Sequence, residues 1–95
     1  MNKYEAMFII RPDLSEDEKK TLFSQIGETV TKNQGQVSSG AIWSEKRKLY
    51  FPIKKHQEGV YYLLQFSLPP LLLKEVTRTY SLNENILRSL FTKLE

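Results

Sequence analysis

The sequence is poor in the residue types on which most enzymes and metal proteins depend. It contains no cysteine, which excludes disulfide frameworks, thiol chemistry and thiolate metal sites. Its single histidine, His56, lies among lysines without a second ligand or a base nearby, and this favours a turn residue over a catalytic or metal-binding one. The four glycines are widely spaced, so no glycine-rich phosphate loop is present. We therefore expect the protein to be no enzyme and to hold no metal or other cofactor.

Long hydrophobic runs are missing as well. The longest candidate, Leu68–Leu73, is interrupted by two prolines and falls well short of the roughly 20 apolar residues that a membrane-spanning helix requires. The apolar run near the N-terminus, Ala6–Ile10, is too short for the hydrophobic part of a secretion signal. We expect no membrane among the partners of this chain.

The residues that are present suit a single globular domain over positions 1–95. Apolar residues make up 40% of the chain and charged residues 26%, which is ordinary for a folded domain with a modest core. The 14 basic side chains outnumber the 11 acidic ones and give a net charge of +3. This small excess indicates a weak preference for anionic partners.

Apolar periodicity predicts four strands and two helices. The first strand, Lys3–Arg11, is apolar on both sides, as is typical of a strand in the middle of a sheet. The second strand begins near Gln36 and is interrupted at Ser44 and Glu45. The fourth covers Ile86–Leu94, where apolar and polar residues alternate almost to the last position.

Both predicted helices have recognisable starts. Ser15 followed by Glu18 is a capping box, and the acids between them suit the positive end of a helix better than a metal or catalytic cluster. Apolar residues at helical spacing follow, and Asn33–Gly35 is a good stop. Pro69–Pro70 opens the second helix, because proline is tolerated in a first helical turn.

The most informative stretch is a long β-hairpin, Lys46–Leu68. Its first arm alternates strictly, the polar segment Lys54–Gly59 is the turn, with Gly59 free to adopt a positive φ, and Val60–Leu68 returns as the third strand. Five basic residues lie in the first arm and the turn: Lys46, Arg47, Lys48, Lys54 and Lys55. Positive charge interleaved with aromatic residues suits a phosphate backbone and unstacked bases, whereas the alternative is an edge hairpin whose charges keep it soluble.

The order strand, helix, strand, strand, helix, strand predicts a ferredoxin-like α+β sandwich. In this fold both helices pack on one face of a four-stranded antiparallel sheet. The other face is left uncovered, and we expect Tyr50, Tyr61 and Leu63 there as a surface for a protein partner. Trp43 is interpreted as a cross-strand packing residue more readily than as a stacking platform. RNA-recognition motifs share this order, but Glu58–Leu63 matches their signature poorly, so we do not expect bases stacked on the sheet.

Placed on these elements, three motifs resemble the bacterial small-subunit ribosomal protein S six family over nearly the full chain. They are Lys3-Tyr4-Glu5, Arg11-Pro12-Asp13-Leu14, and above all the segment KRKLYFPIKK at positions 46–55, followed by Gly59 and Tyr61. The chain departs from the family pattern at three places. Tyr50 stands where a small residue is usual, Phe51 replaces a tyrosine, and Ser44-Glu45 replace a glycine after Trp43.

The resemblance implies a structural component of the bacterial small ribosomal subunit, in the cytoplasm or the equivalent compartment. It implies binding to the central domain of small-subunit rRNA together with ribosomal protein S eighteen, which packs against the sheet. Tyr50, Tyr61 and Leu63 would contact that partner. The expected rRNA contacts, mainly to phosphates, are Lys3, Tyr4, Lys46, Arg47, Lys48, Lys54, Lys55, Arg88 and Lys93.

A second hypothesis follows from the fold alone. Ferredoxin-like chains also occur as self-associating small-molecule-binding modules or small dimeric enzymes, in which the open sheet face is a dimer interface or lines a ligand cavity. A stable homodimer in light scattering, without affinity for rRNA, would favour this hypothesis.

Overall fold

In a computed structural model, the chain forms a four-stranded antiparallel sheet with two α-helices on one side. The structure describes residues 1–53 and 56–94, apart from the side chains of residues 45–53 and 57. The strands are β1 (Asn2–Ile10), β2 (Gln36–Ile53), β3 (His56–Leu68) and β4 (Ile86–Lys93). The helices are α1 (Glu16–Lys32) and α2 (Leu73–Ser81), the second preceded by a short 3-10 helix, Pro70–Leu72. The strand order β2-β3-β1-β4 confirms the predicted ferredoxin-like arrangement.

The hydrophobic core lies between the sheet and the two helices. Because strand side chains alternate between faces, every second residue of β1 and β3 points into it. These core residues are Tyr4, Ala6, Phe8 and Ile10 on β1 and Val60, Tyr62, Leu64, Phe66 and Leu68 on β3. The helices cover them with Leu22, Ile26 and Val30 from α1 and with Val76 and Tyr80 from α2.

Helix α1 begins where the sequence predicts. The Ser15 hydroxyl accepts a hydrogen bond from the backbone N–H of Glu18 at 3.2 Å, and the Glu18 carboxylate accepts one from the backbone N–H of Ser15 at 3.0 Å. These two bonds form a complete capping box. The bond from the Ser15 backbone also holds the pKa of Glu18 below its ordinary value, because it stabilises the ionised carboxylate.

The end of α1 depends on packing against β3. The left-handed backbone conformation belongs to Gln34, with φ of 67°, and no glycine among the described residues has a positive φ. Gly35 is buried at a point where a Cβ atom would lie 2.6 Å from the Ser67 carbonyl oxygen and 2.7 Å from a Val30 methyl group. Glycine is therefore required here for close approach of the helix end to the strand.

The β2-β3 hairpin is longer than predicted. Strand β3 begins at His56 rather than Val60, and Gly59 pairs with Arg47 inside the ladder. The prediction that Gly59 is a turn residue is therefore wrong, and its freedom to adopt a positive φ is not used. The ladder continues beyond Val60 because Lys48 pairs with Glu58 and Ile53 pairs with His56.

Strand β2 runs without a break through the predicted interruption at Ser44 and Glu45. Its pairing with β3 shifts register there, between Ile42 and Ser44 and again before Arg47. A further register shift falls between Val37 and Ser39, in a part of the chain that is rich in weak strand formers. Strand β2 thus stays paired with β3 at the edge of the sheet, although its register is irregular.

Tyr80 joins α2 to α1 through the core, and this contact predicts a pH-dependent loss of stability. Its hydroxyl donates to the Ile26 carbonyl oxygen at 2.6 Å, and burial raises the pKa of Tyr80 well above its ordinary value. We expect Tyr80→Phe to lower the free energy of unfolding by about 1 kcal/mol at neutral pH, because a buried hydrogen bond is lost. The folded pKa is the higher one, so the contribution of Tyr80 is complete below about pH 10 and disappears as the pH rises further.

Urea unfolding of both proteins between neutral and strongly alkaline pH checks this expectation. The difference in unfolding free energy between the two proteins should shrink and then reverse above about pH 10. There Tyr80 ionises in the unfolded natural chain but not in the folded one, and this favours unfolding. Burial also raises the pKa of Tyr62, and the charge of Tyr62 adds to the rise in the pKa of Tyr80, so its ionisation strengthens the reversal. A stability difference that is constant over the whole pH range would contradict the assignment.

Candidate functional site

The sheet face opposite the helices is not covered by any described part of the chain, and we call it the open face. Its β1 residues are those that alternate with the core residues, and backbone pairing brings their neighbours on β3, β4 and β2 to the same side. The open face consists of Lys3, Glu5, Met7, Ile9, Ser39, Ala41, Trp43, Tyr61, Leu63, Gln65, Ser67, Leu87, Arg88, Leu90 and Thr92.

One half of the open face, on the side of the β2-β3 hairpin, is apolar. Its members are Met7, Ile9, Tyr61, Leu63, Leu87 and Leu90, which we call the apolar half. Met7 pairs with both Leu63 and Leu90, and 46% of Leu90 is exposed. Ile9 and Leu87 form a small buried cluster with Tyr61 packed against it. The apolar half thus combines a buried cluster with an exposed apolar margin, which is typical of a surface that binds another molecule.

Trp43 extends the apolar half onto the edge strand β2. Its ring centroid lies 5.7 Å from that of Tyr61, with the ring planes inclined by 52°. This is the cross-strand packing that the sequence favours for Trp43. Because 53% of Trp43 is still exposed, a partner that covers the apolar half can bury much of this ring as well.

The other half of the open face is polar and crosslinked. The Gln65 amide donates to the Glu5 carboxylate, with 2.9 Å between Nε2 and Oε2. The Ser39 hydroxyl lies 3.5 Å from the Gln65 carbonyl oxygen, so the network spans β2, β3 and β1. A positioned carboxylate in this polar half therefore lies beside the apolar half on one continuous surface.

Comparison with known proteins identifies the family. The profile described as Ribosomal protein S6 matches residues 3–93 of the chain. The chain belongs to the ribosomal protein S6 family.

The relatives of this S6-family chain carry the name small ribosomal subunit protein bS6. The one from Dictyoglomus turgidum is 40% identical, and the match covers all of this chain and 97% of that protein. The one from Campylobacter concisus is 39% identical over the whole chain, which spans 68% of that longer protein. The solved structure of 30S ribosomal protein S6 from Thermotoga maritima has a TM-score of 0.88 at 27% identity, and the match covers 97% of this chain and 86% of that one.

Family membership makes the chain a protein of the small ribosomal subunit and confirms the prediction that it is not an enzyme. Among the described residues, no group of histidine and carboxylate side chains is arranged to hold a metal ion. None of the described helices is long and apolar enough to cross a membrane.

The S6-family fold brings only some of the predicted site residues together. Tyr61 and Leu63 lie on the open face as expected, and so do Lys3 and Arg88, both exposed. Lys3 is near the start of β1 and Arg88 pairs with Ile9 near its end, so they mark opposite ends of the face. Lys93 is exposed but pairs with Tyr4, which places it on the helical side of the sheet.

Tyr4 is buried in the hydrophobic core. It is 4% exposed, packs in the core with its ring centroid 5.7 Å from that of Phe66, and accepts a hydrogen bond from Asn2 through its hydroxyl. This position leaves the side chain no area for an RNA or protein partner, so Tyr4 has no part in the interface proposed below.

The other predicted contacts fall on the hairpin outside the described part of the chain. Lys54 and Lys55 are not described, and the side chains of the remaining predicted residues of the arm are not described either: Lys46, Arg47, Lys48 and Tyr50. Their roles remain predictions from the sequence.

Sequence reasoning missed most of the polar half. In the sequence, Glu5 stands out only as part of a family motif, and no pattern distinguishes Gln65 or Ser39. The alternation that places Tyr4 and Ala6 in the core also places Glu5 on the opposite face, so the signal was present in β1. The register between β1 and β3, which pairs Glu5 with Gln65, could not be read from the sequence.

Proposed function

We propose that this chain binds the central domain of small-subunit rRNA together with ribosomal protein S eighteen, which covers the open face. The observation that carries the proposal is the uncovered apolar half, with Leu90 46% and neighbouring Trp43 53% exposed in a protein of the small ribosomal subunit. Contact of this apolar surface with water is unfavourable in the free protein, and burial against a partner removes that free-energy cost.

The rRNA is contacted mainly by the hairpin. Its five basic residues, Lys46, Arg47, Lys48, Lys54 and Lys55, provide phosphate contacts, which position the protein without reading sequence. Lys3, Arg88 and Lys93 are further contributors at separate places on the surface. A net charge of +3 is small for an RNA-binding protein, so we expect weak binding alone and cooperative binding with the protein partner.

Removing two positive charges from the hairpin tests the rRNA part of this proposal. The double variant Arg47→Ala, Lys48→Ala should bind a central-domain rRNA fragment roughly tenfold more weakly in the presence of ribosomal protein S eighteen. Each lost phosphate contact means that fewer counterions are released on binding. The negative slope of log K against log salt should therefore become less steep by about 1.5. Filter binding at several salt concentrations measures both quantities.

A matched control removes two lysines from the helical side. Lys20 and Lys74 are exposed on α1 and α2, so Lys20→Ala, Lys74→Ala lowers the net charge equally but leaves the hairpin intact. This variant should keep the natural salt slope within error. Equal slopes for the two double variants would show that the hairpin has no special role. No binding by the natural chain, with or without the protein partner, would reject the proposed function.

A further inference from the structure

The polar half of the open face contains one carboxylate whose position bears on the partner. Glu5 is half-buried in the middle of β1, between Gln65 on β3 and Thr92 on β4. Gln65 donates to one of its oxygens at 2.9 Å, which orients the carboxylate on the sheet. The amide is itself held by Ser39 on the neighbouring strand.

The Glu5 charge is not compensated by the described part of the chain. None of the ion pairs among the described side chains includes Glu5, although Lys3 lies two positions earlier on the same face. The Gln65 amide is a neutral donor to only one of the two oxygens. In the free protein, water solvates the exposed part of the carboxylate at little cost.

Covering the apolar half changes the surroundings of Glu5. Met7, at the centre of that half, follows Glu5 on the same face of β1, at a spacing of about 7 Å along the strand. A partner that buries Met7 and its neighbours Leu63 and Leu90 therefore also removes water from Glu5. A desolvated carboxylate with a single neutral donor is strongly disfavoured unless a positive charge replaces the water.

We propose that the protein partner on the open face places an arginine or lysine side chain against Glu5, so that Gln65 and this cation together hold the carboxylate. This inference rests on the proposed function and adds the chemistry of one contact. Charge-assisted hydrogen bonds of this type fix the orientation of a partner, whereas apolar contacts are tolerant of sliding. Glu5 thereby selects a basic segment and its register across the apolar half.

The test compares two single substitutions that remove the same charge. Glu5→Gln keeps an oxygen that accepts from Gln65 and alters the charge alone. Glu28→Gln makes the same change on α1, on the helical side of the molecule. Titration calorimetry with ribosomal protein S eighteen should show at least tenfold weaker binding for Glu5→Gln, a smaller salt dependence, and less than a twofold change for Glu28→Gln.

The outcomes separate this inference from the proposed function. No binding by the natural chain would reject both proposals, whereas equal affinities for the natural chain and Glu5→Gln would reject only the Glu5 contact. Weaker binding with an unchanged salt dependence would also overturn it, because the loss would then not be that of an ion pair. Light scattering should show a monomer; a homodimer that weakens on Glu5→Gln would assign the open face to a second copy of the chain and overturn the inference.

Discussion

Replacing Phe8 by alanine should lower the free energy of unfolding by about 3–5 kcal/mol, the largest single effect that we expect on stability. Phe8 is fully buried in the middle of β1, where its ring meets the edge of Tyr80 at a centroid distance of 4.8 Å. Phe91 and Tyr62 lie within 6.4 Å of it on the strands at either side. The cavity left by the ring cannot collapse easily, because its walls are strands paired through their backbones on both sides of β1.

Urea unfolding measures this loss, and two further variants calibrate it. Phe8→Leu fills most of the cavity and should cost far less than the alanine substitution. Leu71→Ala removes an aliphatic side chain that is 92% exposed on the short 3-10 helix, and it should change stability by less than about 0.5 kcal/mol. A cost of less than about 2 kcal/mol for Phe8→Ala would mean that the surrounding aromatic rings repack into the space.

The fold was predictable because its signals are local. The capping box at Ser15 and Glu18 depends on residues three positions apart, and both hydrogen bonds are present. The alternation along β1 separates core residues from open-face residues, and the structure keeps that separation. Short-range patterns of this type determine where elements begin and which faces are apolar.

The features that could not be predicted depend on contacts between distant parts of the chain. Gly35, just after α1, is required because a larger residue would collide with the Ser67 carbonyl on β3, a contact that no local pattern reveals. Gly59 looked like a turn residue among polar neighbours, but its partner Arg47 keeps it in the ladder. In both cases contacts between distant residues, and not the local preference of glycine for turns, decide why a glycine stands there.

The candidate site was likewise predictable where it depends on local alternation, and not where it depends on the register between strands. Tyr61 and Leu63 were placed on the open face correctly because they follow the β3 alternation. Tyr4 is expected at an interface from its motif alone, and a motif match carries no information about burial, whereas the alternation along β1 places Tyr4 with Phe8 in the core. The Glu5–Gln65 contact depends on the register of two strands that are far apart in sequence, and only the structure supplies it.

The second large effect should appear in partner binding, at the exposed margin of the apolar half. We expect Leu90→Lys to weaken binding of ribosomal protein S eighteen by at least a hundredfold while the chain stays folded. The side chain is 46% exposed in the free protein, so a lysine there extends into water and changes stability little. In the complex the same position is covered, and the substitution both loses apolar burial and forces a charge out of water.

The matched control for Leu90→Lys is Leu71→Lys, which makes the same chemical change on the short 3-10 helix beside α2, on the helical side. Circular dichroism should show native folding for both variants, and calorimetric titration should show natural affinity for Leu71→Lys alone. Leu90 pairs with Met7 at the centre of the apolar half, so a partner that covers this half cannot avoid it. Retained affinity in Leu90→Lys would therefore mean that the partner binds elsewhere, whatever the rRNA titrations show, and the open face would have to be assigned to another molecule.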